Sequence, residues 1–389
     1  MLTALLLVAV APRNLAMDDI KPEALRATVE KLASFTTRNT LSPTLNEAAA
    51  WLADQYRKIP GVQVEVMKYT VLKGRRIPED KEVVQVVATL PGKTDRRIVI
   101  GGHLDSLNLQ VDAATGRAPG ANDDASGVAV ALESARAMAG KKWENTIVFV
   151  GFTGEEQGLL GSRALAERAV KEKWDLMAVL SNDTVGSSSN LAGQKDEKRI
   201  RVFSDEYDPT PPREDRPAHN SRELARFIEV ATRGKVPGFG VKLVFRADRF
   251  GRGGDHTPFA QAGFNAVRFI EVHEEYTRQH TPDDLPEHMD WAYLANVTRL
   301  NLSALTTLAN AAPGPKSVRV VQNQGHDTSL TWEAEPGVKY VVYVRETTSP
   351  TWEKAIEVGE AKEAIVKGFN KDDHVFAVGS VGGVPVVAR

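Results

Sequence analysis

One stretch limits what this chain can fold into more than any other. Residues 98–131 begin with the apolar run Ile98-Val-Ile-Gly-Gly and continue into His103-Leu-Asp105. After a polar loop comes Pro119-Gly-Ala-Asn-Asp123-Asp124-Ala-Ser-Gly127, which opens into an Ala-rich segment of helical periodicity. A strand with polar residues at its carboxyl end, followed by a Gly-punctuated turn and a helix, is the unit of an open α/β sheet, where sites lie beyond the carboxyl ends of the strands. Residues two apart on a strand share a face, so Asp105 can hold the ring N–H of a His103 that offers its other nitrogen to a metal. Asp123 adds a hard oxygen ligand.

The rest of the chain is consistent with such a sheet. Apolar spacing predicts helices over 22–35 and 45–59, then strands over 62–71 and 82–90. Strands over 97–101, 146–152 and 176–182 then alternate with helices over 125–139 and 159–171, which predicts a mostly parallel central sheet flanked by helices. Residues 186–220 interrupt the rhythm around a short strand over 199–204 and read as a surface loop near the site mouth. Order returns with a helix over 222–232, a strand over 242–246, a helical turn from 257, a strand over 266–270 and a long helix over 290–311. Ala312-Pro-Gly-Pro315 reads as a linker. Beyond it the period changes to two, and seven short strand candidates predict a small all-β sandwich. The expected division is a leader at 1–16, an α/β domain at 17–312 and the sandwich at 313–389.

Composition excludes several classes. With a net charge of -2 and no basic run, the chain has no electrostatic footprint for nucleic acid. It has no cysteine, which removes disulfides, thiolate nucleophiles and Cys-type zinc sites, so any zinc must use His and carboxylate ligands. Residues 2–11 are apolar, too short to span a bilayer, and end in Ala9-Val10-Ala11, like a signal-peptidase site, although no basic residue precedes them. They read as an export leader, with a secreted or periplasmic destination and no stable membrane insertion.

Three further strand ends carry chemistry. The strand over 146–152 runs into Thr153-Gly-Glu155-Glu156-Gln-Gly158, that over 176–182 ends at Asp183, and the loop after 266–270 carries His280-Thr-Pro-Asp283-Asp284. His103, Asp123, Glu156, Asp183 and His280 form a cysteine-free set of the type a hydrolytic zinc pair uses. Two dications balance three carboxylates and a hydroxide, whereas one leaves the cluster strongly anionic, so two zincs per chain are expected. Each residue also has a plainer reading. Asp123 and Asp124 could be helix caps, Glu155 and Glu156 a solvated first-turn pair, and the histidines packing residues. His219, His273, His288, His326 and His374 lack such company and read as surface or packing residues.

In this order the motifs resemble the di-zinc metallo-aminopeptidases of the bacterial leucyl aminopeptidase type, the M28 peptidase family, over residues 22–311. The resemblance implies that His103 and Asp183 hold one zinc, Glu156 and His280 the other, and that Asp123 bridges them. It also implies a catalytic function for Glu155, as general base towards a metal-activated water, with Asp105 supporting His103, and a cis peptide bond between Asp123 and Asp124. The substrates it implies are peptides with a free N-terminus. Where some members carry an oxyanion-stabilising tyrosine, this chain has Phe250-Gly-Arg252-Gly-Gly-Asp255-His256, leaving Arg249, Arg252 or zinc itself for that task and Asp255-His256 as support. The same fold leaves open a single-zinc glutaminyl-cyclase-like acyltransferase and a non-catalytic receptor. The C-terminal segment resembles a fibronectin type III module through Trp332, Tyr340-Val-Val-Tyr343 and His374-Val-Phe-Ala-Val-Gly-Ser, with His374 where that module usually has tyrosine. No residue in it suggests catalysis or a particular partner.

Overall fold

In the computed structural model, residues 17–110, 114–205, 220–248, 252–322 and 325–389 are described. The leader at 1–16, most of the second half of the 186–220 loop, His219 and Arg249 lie outside them. Amphipathic stripes in Pro22–Ala33 (α1) and Thr44–Arg57 (α2) put Leu25, Val29, Leu32, Leu45 and Leu52 into the core. Strands Gln63–Val71 (β1), Lys81–Leu90 (β2) and Thr94–His103 (β3) precede helix Ser126–Met138 (α3). Asn145–Phe152 (β4), Leu160–Lys171 (α4), Leu176–Asn182 (β5) and Arg199–Phe203 (β6) follow. Ser221–Thr232 (α5), Gly240–Val244 (β7), His256–Gln261 (α6), Ala266–Glu271 (β8) and Trp291–Ala309 (α7) complete this part.

The strands form one sheet in the order β1-β2-β4-β3-β5-β8-β6-β7. Its centre, β4-β3-β5-β8, is parallel, but β1-β2, β2-β4 and β8-β6 pair antiparallel. With β6-β7 also parallel, four of the seven pairings are parallel and three antiparallel, so the sheet is mixed, with a parallel centre and antiparallel additions on either side. The reason lies in the connections: β1 and β2 are joined by a short loop, which suffices for a hairpin, whereas a parallel pair needs a long crossover.

Alternation along the central strands separates the two faces. Ile98, Ile100, Ile147, Phe149 and Leu180 join the core under α3 and α7, while Val99, Val148, Val150 and Val179 pack with Leu165, Ala169 and Phe259 of α4 and α6. Glycine is required at Gly102, because a Cβ there would lie 2.4 Å from the Gly127 carbonyl carbon and 2.6 Å from Asp124 Oδ2. That contact lets the end of β3 touch the start of α3, which is what brings His103 to Asp123.

After α7, Lys316–Val320 (β9), Thr328–Glu333 (β10), Tyr340–Glu346 (β11), Lys354–Gly359 (β12), Glu363–Val366 (β13), His374–Ser380 (β14) and Val386–Val387 (β15) coincide with the seven period-two runs. They form two antiparallel sheets, β13-β10-β9 and β12-β11-β14-β15, around Val318, Leu330, Trp332, Tyr340, Val342 and Phe376. His374 Nδ1 lies 3.1 Å from the Asn370 carbonyl, so the imidazole makes a local corner contact of its own. The second sheet turns Val341, Tyr343 and Ala377 outward onto Val230 of α5. The 312–315 segment is anchored at its start, where Asn145 Nδ2 donates to Ala311 O at 2.9 Å and Ser380 Oγ to Ala312 O at 2.8 Å. Among the described residues, no helix is long and apolar enough to cross a membrane.

Candidate metal centre

The five expected ligands meet at the carboxyl edge of the parallel strands. His103 ends β3, and its Nε2 lies 2.9 Å from Asp123 Oδ1 and 3.8 Å from Asp183 Oδ1, just beyond β5. His280, in the loop after β8, places its Nε2 3.1 Å from both Asp123 Oδ2 and Glu156 Oε2. Two donor triplets result, His103-Asp123-Asp183 and Asp123-Glu156-His280, each with its donor atoms within 4.8 Å of one another, and Asp123 belongs to both.

The turn that presents Asp123 is built from outside. Asp284, the last residue of the His280 motif, accepts the main-chain N–H of Asn122 and Asp123 at 2.9 Å each. The Asp123–Asp124 peptide bond is cis. Asp124 is consumed by the scaffold: it accepts the N–H groups of His103, Gly127 and Thr184 at 2.9, 2.9 and 3.1 Å. The helix-start reading thus suits Asp124, while the carboxylate of Asp123 faces the imidazoles.

Asp105 lies beside His103 as its spacing suggests, but turns a different group to the ring. The acceptor nearest His103 Nδ1 is the main-chain carbonyl of Asp105, at 3.0 Å, while its carboxylate is 3.7 Å away. That carboxylate accepts the N–H of Glu155 at 3.3 Å and of Glu156 at 3.2 Å, tying the turn after β4 to the end of β3. Glu155 is only half-buried and belongs to neither triplet.

Electrostatics supplies a test of whether these residues suit a metal. Burial would lower the His103 and His280 pKa values, but the neighbouring carboxylates outweigh it: His103 is held well above its ordinary range and His280 is pushed up to about 11. Burial would likewise raise Asp123, yet the two imidazoles hold it well below the usual carboxylate range. Burial, with Asp183 and Glu156 adding to it against His103, pushes Glu155 well above that range. Rings and carboxylates at these distances need positive charge between them, as a proton or a cation. One more observation favours a cation, since Glu156 Oε1 is buried without a hydrogen-bond partner among the described residues. An N/O set of two imidazoles and three carboxylates is what zinc accepts where no thiolate is available.

Three supports escaped the sequence reading. Arg268, on β8, is 2% exposed and donates to Asp183 Oδ2 at 2.9 Å, Asp248 Oδ2 at 3.3 Å and Gly253 O at 2.7 Å. Opposed by burial, its charge holds Asp183 down at about 2. The signal was a lone arginine inside Ala266-Val-Arg268-Phe-Ile. Arg38 is fully buried and donates to the carbonyls of Leu32, Leu104 and Gly120 at 2.9, 2.7 and 2.9 Å, clamping α1 to both ends of the polar loop. Gln279 donates to Asp123 Oδ2 at 2.7 Å, a neutral N–H at the cluster itself. Arg252, considered for the oxyanion, is instead engaged with Glu274 Oε1 at 2.8 Å and lies over the Tyr276 ring. Asp255 is buried at the start of α6, and burial pushes it up to about 7. Exchanging Arg268 for Met removes the cation beside the buried Asp183, and is expected to cost about 3–5 kcal/mol. Urea unfolding of the Met and Lys variants measures it, with Lys expected to recover part of the loss.

Comparisons with known proteins agree with this geometry. The model of Peptidase family M28 matches residues 85–305. A protein of Pyricularia oryzae described as a probable zinc metalloprotease is 37% identical over 408 aligned positions, covering 94% of this chain and 81% of its own. Among solved structures, an aminopeptidase from Aneurinibacillus sp. strain AM-1 superposes with a TM-score of 0.57 at 18% identity, covering 76% of this chain and 96% of that one. A glutaminyl cyclase from Fimbriiglobus ruber does so with a TM-score of 0.58 at 17% identity, over 73% and 94%. These two likenesses establish the shared fold.

Proposed function

The chain belongs to peptidase family M28, and on that premise we propose that it is a zinc-dependent aminopeptidase with two metals per chain. The observation that carries this reading is the sharing of Asp123 between two donor triplets, one buried and one with His280 half-buried, with Glu155 left outside both. His103 and Asp183 would hold one zinc, Glu156 and His280 the other, and Asp123 both. When bound, zinc supplies Lewis-acid polarisation of the scissile carbonyl and acidifies water.

The chain's own groups do the rest. Glu155, its N–H fixed by Asp105, takes the proton of the attacking water and returns it to the leaving amine. Asp105 orients both the His103 ring, through its carbonyl, and the Glu155-Glu156 turn, through its carboxylate. The carboxylates of the cluster offer a counter-charge to a free α-ammonium group, which restricts cleavage to the first residue. A single-zinc cyclase needs one of the two triplets, and the presence of both favours the peptidase. In the same reading the C-terminal sheets are a fibronectin type III-like module and the protein is exported to the periplasm or medium.

The test is elemental analysis of the purified protein together with hydrolysis of aminoacyl nitroanilides and their N-acetylated forms. Near two zincs per chain, with cleavage that N-acetylation and chelation abolish and zinc restores, is the expected result. One zinc, no release of N-terminal residues and cyclisation of glutaminyl peptides would replace it with the cyclase.

A further inference from the structure

Beside the cluster lies a shallow recess, and Asp123, Arg278, Asp284, Leu285, His288 and Met289 are among the residues lining it. Because Asp123 is part of its wall, the recess opens directly onto the shared ligand, where the scissile bond would sit. Its charge balance is unusual. The carboxylates that line it are already committed: Asp284 to the N–H groups of Asn122 and Asp123, Glu275 to the N–H groups of Leu191 and Thr277 and to the Thr277 hydroxyl. Asp123 faces the two imidazoles and Gln279.

The guanidinium of Arg278 is not committed in this way. Arg278 is half-buried, and its guanidinium makes no close ion pair or hydrogen bond among the described residues, its charge reaching Glu275 only at longer range. His288 comes no nearer to a carboxylate than 3.8 Å, from its exposed neighbour Glu287. A half-buried guanidinium whose N–H groups are not taken up by a close acceptor is a planar, permanently charged fork suited to a carboxylate. Leu285 and Met289 add an apolar flank for a short methylene stem.

We propose that this recess is a substrate subsite selective for a carboxylate, with Arg278 as the specificity-determining residue. Building on the aminopeptidase reading, it names the preferred substrates as acidic peptides. The carboxylate comes from the side chain of an N-terminal glutamate or aspartate, or from the C-terminus of a very short peptide. The chemistry is the same in both cases, and the length of the substrate separates them.

The experiment measures binding first, independently of turnover. Calorimetric titration of the zinc-loaded protein with glutamate α-hydroxamate and glutamine α-hydroxamate compares a charged with a neutral isostere. A charge-assisted, bidentate contact is expected to favour glutamate by about 10- to 100-fold. That ratio should fall close to one in Arg278→Met and be partly kept in Arg278→Lys, with the thermal midpoint recorded for each. Equal binding of the two hydroxamates, or a ratio that Arg278→Met leaves unchanged, overturns the proposal. Turnover then assigns the source: discrimination between glutamyl and glutaminyl nitroanilides places the carboxylate on the side chain, and discrimination between leucyl-leucine and its amide places it at the C-terminus. Hydroxamate discrimination without release of any N-terminal residue would sustain the subsite and overturn the aminopeptidase reading, so the two failures are distinguishable.

Discussion

Exchange of Glu155 for Gln is expected to lower kcat by about 10²- to 10⁴-fold while the zinc content stays at its wild-type value, the range that a positioned general base supplies. The two halves of that outcome have separate structural causes. Glu155 takes no part in either donor triplet, so its loss removes no ligand. Its backbone, not its side chain, is what Asp105 holds, so an isosteric amide leaves the Glu155-Glu156 turn and the placement of Glu156 intact. What disappears is the capacity to accept a proton from water and deliver it to the leaving amine. A kcat measurement paired with elemental analysis of the same preparation reads both. Zinc lost along with activity would make Glu155 a ligand, and activity retained would transfer the base to another group. The neighbouring exchange, Glu156→Gln, predicts the opposite pattern, because Glu156 Oε2 is 3.1 Å from His280 Nε2 and its other oxygen has no hydrogen-bond partner among the described residues.

Much of this centre was legible because its donors sit at strand ends, where the hydrophobic period of two stops abruptly and a polar residue follows. His103 ends β3, Asp183 directly follows β5 and Glu156 stands in the turn after β4, and the break from apolar to polar residues there is visible without any knowledge of contacts. The strand and helix positions were legible for the same reason, down to the short strands after α7. Strand direction was not. An apolar run reads the same whether it pairs parallel or antiparallel, and only the length of the connection separates β1-β2 from β3-β4. The supporting charges were also hidden. Arg38 and Arg268 are buried through hydrogen bonds to carbonyls and carboxylates distant in the chain, and no local period encodes such partners. Asp105 shows a subtler limit: spacing placed it beside His103 correctly, but could not say whether its carbonyl or its carboxylate would face the ring. The same limit hid Arg278. In the irregular loop before His280 no periodicity says which way a side chain turns, so the counter-charge that the recess presents could be placed only in three dimensions.

Removal of the Asp123 carboxylate should be the most damaging single change at the centre, because it alone contributes to both triplets. Asp183→Ala and Glu156→Ala each deplete one donor set and are expected to leave about one zinc per chain, the other position keeping its His and its share of Asp123. Asp123→Ala reduces both sets at once to one imidazole and one carboxylate, too few for a zinc site that relies on three protein ligands. Zinc content should then fall from near two to well below one per chain. Hydrolysis should fall by much more than the roughly 10- to 100-fold that loss of a hydrogen-bond partner behind a ligand costs. Folding should survive, since the turn carrying Asp123 is held by Asp284 through main-chain N–H groups and the start of α3 by Asp124, neither of which needs the Asp123 side chain. Circular dichroism and a metal titration of the three variants side by side give the decisive comparison. If Asp123→Ala and Asp183→Ala lose equal amounts of zinc, Asp123 serves one metal only, and the sharing inferred from the overlapping triplets is overturned.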